Sequence, residues 1–146
     1  MRLDRAWIER HIPHQGAMCL LDEIIAWDDI LITCQTGTHC NPENPLRARG
    51  SLPAVCGIEY AAQAVALHGA LLSGHASTRG YLASVRGVTF TTDRLDGQCA
   101  MLTINGRLLG ADQGTMLYQF DLASESCTLL SGRLAVVLDA MRPGIG

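Results

Sequence analysis

The stretch "LPAVCGIEYAAQAVALHGALLSG" constrains this chain more than any other. From Ala54 to Leu72 it holds one carboxylate, Glu59, and no Lys or Arg. Pro53 suits the first turn of a helix, Ser51 is a candidate N-cap, and Gly74 offers a C-terminal stop. The spacing predicts one long helix over 53–73 with almost no polar face. Such a helix is buried nearly all round. A carboxylate is costly to bury unpaired, which makes Glu59 the first candidate for a functional residue.

The chain has 146 residues, 48% apolar and only 17% charged, which fits a single domain spanning 1–146. So little charge suggests that another subunit covers part of the surface. The net charge is −3, and all eleven basic residues are scattered Arg. Without a basic run, a nucleic-acid partner is excluded on electrostatic grounds. The cysteines, Cys19, Cys34, Cys40, Cys56, Cys99 and Cys127, show no CxxC spacing and no cluster with His. They read as reduced core thiols of a cytoplasmic protein, with a disulfide framework as the lesser alternative. No metal or other cofactor is expected. The opening "MRLDRAWIERHIPHQG" lacks the apolar core of a secretory signal. No run is expected to reach the roughly 20 apolar residues of a membrane span once Glu59, Gln63 and His68 are counted.

Around the long helix the pattern is mostly β. "LDRAWIERH" predicts a short helix with Leu3, Trp7 and Ile8 on one face, ended by the Ile12-Pro13 step. "MCLLDEIIAWD" and "DDILITCQTGTH" read as two strands, and "CNPENPLRARGS" as a loop. After the helix come "GYLASVRGVTF", "QCAMLTINGRLLGA", "TMLYQFDLAS" and "CTLLSGRLAVVLD". "GADQG" and "ASES" mark hairpin turns between the last three, and "TTDRLDG" a looser connection. The sum is an α+β protein, an antiparallel sheet of about six strands around one central helix. Such a sheet has free edges, and pairing across a dimer is a common way to manage them.

Two motifs carry a resemblance to a known family. "IPHQGAMCLLDEII" resembles the "PHR-x-P-F-L-L-V-D" opening of the 3-hydroxyacyl-acyl-carrier-protein dehydratases. "LPAVCGIEYAAQA" resembles their "P-G-V-L-x-x-E-A-x-A-Q" helix. The order of elements is theirs as well, and covers nearly the whole chain. Within the family, the "G-I-E-Y-x-A-Q" helix is similar to that of the dehydratase-like proteins of aryl polyene clusters. The resemblance implies a hotdog fold. It also implies dehydration of a thioester carried by an acyl carrier protein on its phosphopantetheine, and a homodimer or higher assembly that can include a second dehydratase. Glu59 falls on the catalytic carboxylate, Gln63 on the Gln one turn later, and Pro53 on the Pro that opens the helix. Ala54 replaces a Gly whose N–H helps hold the thioester carbonyl. The departure is upstream: the family's catalytic His sits in a "G-H-F-P-G" loop, where this chain has "NPENPLRARGSLP".

Dehydration needs a base for the C2 proton, an acid for the departing 3-hydroxyl and donors for the thioester oxygen. The N–H groups of Ala54, Val55 and Cys56 at the helix start are the candidate donors, and the helix dipole favours negative charge there. Glu59 is the candidate acid, since burial in an apolar tunnel would raise its pKa. His14, in the "PH" loop, is the first candidate base; His39, just before the altered loop, is the second. His68 points to another side of the helix, and His11 and His75 read as terminal or exposed. Arg47, Arg49 and Arg86 are candidates to meet a carrier phosphate. The bland alternatives are a structural carboxylate at Glu59, a bracing loop histidine at His14, and a Gln63 that bonds to the sheet edge. Two other functions compete: a hotdog thioesterase in which Glu59 activates water, and an inactive partner that supports a homologous dehydratase.

Overall fold

The computed structural model describes residues 2–74, 80–97, 99–125 and 127–138. Eight elements follow in order: α1 (Arg5–His11), β1 (Glu23–Trp27), β2 (Leu31–Thr36), α2 (Gly57–Ser73), β3 (Gly80–Phe90), β4 (Leu102–Asp112), β5 (Thr115–Ser124) and β6 (Cys127–Leu138). The strands form one sheet in the order β1-β2-β4-β5-β6-β3, each pair antiparallel. It wraps α2, which packs on β2, β4, β5 and β6. This is the expected α+β hotdog architecture.

α1 is capped by Asp4, whose carboxylate accepts the Trp7 N–H at 2.9 Å. It stops at Ile12, as the following Pro13 requires. The first expected strand is shorter than its sequence suggests, because a 3-10 turn at Gly16–Met18 precedes it and Gly16 sits at φ +58°. The β4–β5 hairpin turns at Gln113 and Gly114, both with positive φ, as a tight two-residue turn demands. The "ASES" turn includes Ser126, which lies outside the described residues.

α2 departs from expectation at its start. A 3-10 turn, Ala54–Cys56, leads into it, and the N-cap residue, Cys56, makes no side-chain cap. Ser51 instead turns back on Ala48 in a small hairpin. The first α-helical residue is Gly57, and a Cβ there would stand 2.8 Å from Leu130 Cδ2. Any side chain here would force Leu130 to shift, so glycine eases the close start of the helix on β6. The far end behaves as expected: Gly74 takes φ +74° and its N–H donates to Ala70 O.

The 54–73 stretch is 20 residues long and holds an 18-residue window of mean hydropathy 1.3, so it is long and apolar enough to cross a membrane, against the sequence expectation. Most of it is covered: 61% of the window is buried inside the protein. Tyr60, Ala61, Ala64, Val65 and Leu67 join Phe120, Leu122 and Leu134 in the core, which explains the apolarity without a bilayer.

The cysteines need one correction. Cys40 and Cys99 form a disulfide, with Cα atoms 5.7 Å apart. Their spacing of 59 residues hides a contact that only the fold creates. The other four are free; Cys19 and Cys34 are buried, as core thiols should be. Burial pushes the Cys34 thiol far up, so it is inert.

Candidate functional site

Glu59 lies in the first turn of α2, and in this chain it is exposed. The expected burial in an apolar tunnel is therefore not supplied by the chain's own sheet. One turn earlier, Val55 is 57% exposed. Ala62, one turn later, is half-buried. At 3.6 residues per turn these three share one helix face. That face opens outward, while α2 is buried from Gln63 to Ala70 and exposed again at Leu72 and Ser73. The Cys56 thiol, half-buried beside it, is pushed up by burial and then by the charge of Glu59.

The helix start offers fewer free donors than expected. The Ala54 N–H donates to Asp93 O at 2.9 Å, and the Cys56 N–H to Pro53 O at 3.0 Å. Of the three candidate amides, Val55 alone has no acceptor among the described residues. The reason is a strip of pairing between residues 52–54 and 93–96. Pro53 bridges to Arg94, the Leu95 N–H donates to Leu52 O, and the Leu52 N–H donates to Asp96 Oδ1 at 3.0 Å. Asp96 is clamped by Arg94 at 2.9 Å and Arg47 at 3.1 Å, with its side chain only 5% exposed. The Arg94 hydrogen bonds, first of all, hold its carboxyl well below the usual carboxylate range. Arg47 also donates to Gly50 O, so it is engaged. Arg49 and Arg86 are exposed.

Gln63 is 2% exposed and does not face Glu59's open side. Its Oε1 accepts the Leu20 N–H at 2.9 Å and its Nε2 donates to Met18 O at 2.8 Å. Both ends of the amide are thus spent on the loop before β1, and the expected substrate contact gives way to a bracing one. Arg5 grips the same loop from α1, donating to Gly16 O, Cys19 O and Asp22 Oδ1 at 2.9, 2.7 and 2.9 Å. Nothing in the sequence near Arg5 signals this role, because these partners lie 11 or more residues away.

His14 lies in that braced loop. It is half-buried, and its Nδ1 is buried with no hydrogen-bond partner among the described residues. No hydrogen bond or ion pair joins His14 to Glu59 within the described residues. His39 is 1% exposed on a 3-10 turn, Thr38–Cys40, next to the disulfide. His68 is fully buried: its Nε2–H donates to Asp28 O and its Nδ1 meets the Tyr118 hydroxyl. His11 is not free either; it stacks on Trp7 at 3.7 Å and donates from Nδ1 to Trp7 O. His75 lies outside the described residues.

A second feature had no clear sequence signal. Tyr60, next to Glu59 but on the buried side, has its hydroxyl between Thr38 Oγ1 and Asn44 Nδ2, each at 2.9 Å. Thr38 in turn donates to Leu20 O at 2.6 Å. The loop that replaces the family's His-bearing segment is therefore tied to α2 through Asn44, and α2 to the His14 loop through Thr38. Among the described residues no group of three His, Cys, Asp or Glu could hold a metal ion.

The fold is that of a hotdog protein, with an acid on the open face of its central helix. A family profile described as ApeP dehydratase matches residues 6–142, and the chain belongs to the ApeP-like dehydratases. This upholds the resemblance to the dehydratase-like proteins of aryl polyene clusters. Among solved structures, the dehydratase heterocomplex ApeI:P from Xenorhabdus doucetiae is similar at 25% identity and a TM-score of 0.79, covering 94% of this chain and 91% of that one. A thioesterase, HI1161 from Haemophilus influenzae, shares the fold at 13% identity and a TM-score of 0.61, covering 85% and 82%. No curated protein gives a significant match.

Proposed function

We propose that this chain is one subunit of a dehydratase acting on a 3-hydroxyacyl thioester bound to an acyl carrier protein. The observation that carries the reading is the placement of Glu59. An acid stands on the outward face of the first turns of α2, near Val55, the one candidate amide at the helix start with no acceptor among the described residues. A site that opens outward is completed by a neighbouring subunit. In it, a histidine base takes the C2 proton and the freed electron pair forms the C2=C3 bond. The 3-hydroxyl takes a proton from Glu59 and leaves as water, giving the trans-2-enoyl thioester. The Val55 N–H stabilises the thioester oxygen while charge develops there.

The base comes from across the interface. His14 of a second copy is one source; a histidine of a homologous dehydratase is the other, and the heterocomplex of the similar structure favours it. β3 lies at the sheet edge and is the strand along which such a pair would join. The cytoplasm is the compartment we assign. There the exposed Cys99 puts its disulfide within reach of the thiol pool.

Intact-protein mass spectrometry of a loaded carrier protein tests this. The chain, alone and mixed with a second dehydratase, should yield a carrier lighter by one water. Glu59→Gln should lower the rate about 100-fold or more. Release of the free carrier thiol would instead show a thioesterase. Full activity of both Glu59→Gln and His14→Ala would refute Glu59 as the acid and leave this chain a supporting subunit. Loss with His14→Ala in the chain alone would identify the homodimer as the active form.

A further inference from the structure

At the turn end of the β5–β6 hairpin, where Ser124 pairs with Cys127, lies a cavity of about 310 Å³, lined among others by Thr91, Thr92, Arg94, Leu95, Ser124 and Cys127. Ser124 is 2% exposed, and its Oγ has no hydrogen-bond partner among the described residues. A buried hydroxyl left unpaired is uncommon and costs free energy. The threonine and arginine side chains here are engaged, and Cys127 adds a free thiol. The Thr91 hydroxyl donates to Thr128 O at 2.7 Å and the Thr92 hydroxyl to Arg94 O at 3.1 Å. The Arg94 guanidinium is locked on Asp96 by two hydrogen bonds. With that cation neutralised, the lining selects for an uncharged chain that carries hydrogen-bonding groups. Leu95 and Leu129 supply apolar wall for its hydrocarbon parts.

The position of the cavity narrows the guest. The segment that walls it also holds the start of α2. Asp93 O accepts the Ala54 N–H, and the Leu95 N–H donates to Leu52 O. The cavity therefore flanks the turn that presents Val55 and, one helical turn on, Glu59.

We infer that the cavity receives the pantetheine portion of the thioester's tether, with an amide or hydroxyl of that chain bonded to Ser124. Pantetheine offers two amides, a hydroxyl and a gem-dimethyl carbon, the mixture that a half-polar, charge-neutral cavity accommodates. Ser124 is in this role a binding residue, not a catalytic one. The inference rests on the carrier-bound thioester reading above and names where its tether lies.

The test compares two soluble 3-hydroxyacyl thioesters, one of pantetheine and one of N-acetylcysteamine, which lacks the pantoyl part. The chain is used whole, with its partner dehydratase where turnover needs one. Ser124→Ala should lower kcat/KM for the pantetheine thioester by about 5- to 20-fold, chiefly through KM, as loss of one buried hydrogen bond implies. The N-acetylcysteamine thioester should change less than about two-fold, and the variant's Tm should not fall, because the hydroxyl has no partner in the protein. Equal effects on both thioesters, or none on either, would overturn the assignment. Should neither thioester be turned over by the wild type, the dehydratase reading fails by itself. An NMR titration with S-acetylpantetheine then decides the cavity: shifts at Ser124 and Cys127 that vanish in Ser124→Ala uphold it, and their absence in the wild type refutes it.

Discussion

The Tyr118 hydroxyl lies 2.6 Å from Nδ1 of His68, deep under the sheet, and the opposite ring nitrogen lies 2.7 Å from Asp28 O. A carbonyl only accepts, so Nε2 carries the proton and Nδ1 accepts from Tyr118. The ring is thereby fixed as one neutral tautomer. Burial, above all, lowers its pKa from the ordinary value, and the neighbouring Asp28 carbonyl and carboxylate offset this only in part.

A pH dependence of stability follows. The unfolded chain takes up a proton at the ordinary histidine pKa of about 6.5, whereas the folded chain resists it to lower pH. This contribution is fully present above about pH 6.5 and is lost as pH falls below it. Urea unfolding of the wild type and of His68→Gln between pH 7.5 and 5 should show the wild type losing the larger share of its stability. Parallel curves would remove His68 as the cause. At pH 7.5 His68→Ala should cost about 2–4 kcal/mol, from the cavity and the stranded Tyr118 hydroxyl.

Gln63 holds two residues of the loop before β1, 43 and 45 positions away in the chain. Gln63→Leu should cost about 1–3 kcal/mol, because the buried Leu20 N–H loses its acceptor. Gln63→Glu keeps that acceptor but loses the donor to Met18 O, and should fall between. Chemical denaturation orders the three proteins. If Gln63→Leu were as stable as the wild type, the brace on the His14 loop would have no energetic weight.

Glu59 should separate activity from stability. Because it is exposed and forms no ion pair among the described residues, Glu59→Gln should shift stability by no more than about 0.5 kcal/mol. Dehydration should still collapse. A large drop in Tm would instead point to a structural carboxylate.

Gly57 should not tolerate a side chain while Leu130 stays. Its added Cβ would meet both Leu130 Cδ atoms, at 2.8 and 3.0 Å. Gly57→Ala should cost about 1–3 kcal/mol by overpacking. Leu130→Ala makes room, so the double variant should be more stable than the sum of the two single changes predicts. Simple additivity in thermal unfolding would contradict the contact.

The Cys40–Cys99 bond closes a loop of 59 residues. Under oxidising conditions Cys99→Ser should be less stable than the wild type by about 2–4 kcal/mol, and with reductant the difference should vanish. A gap that survives reduction would mean that packing of the side chain, not the bond, is responsible.

Local chemistry was written plainly in the chain. The Ile12-Pro13 step ended α1, the apolar run made α2, Gly74 stopped it, and Gln113-Gly114 closed a hairpin. Each depends on neighbours within a few residues, where backbone sterics and hydrophobic period act directly. The position of Glu59 in the first turns of the helix was legible for the same reason. What periodicity cannot give is the partner. That Ala54 spends its N–H on Asp93, that Gln63 holds Met18 and Leu20, and that Cys40 meets Cys99 all depend on segments about 40 or more residues apart. Only closure of the sheet brings them together. The exposure of Glu59 was decided there too, because closure of the fold covers α2 from Gln63 to Ala70 but leaves the face of Val55 and Glu59 open.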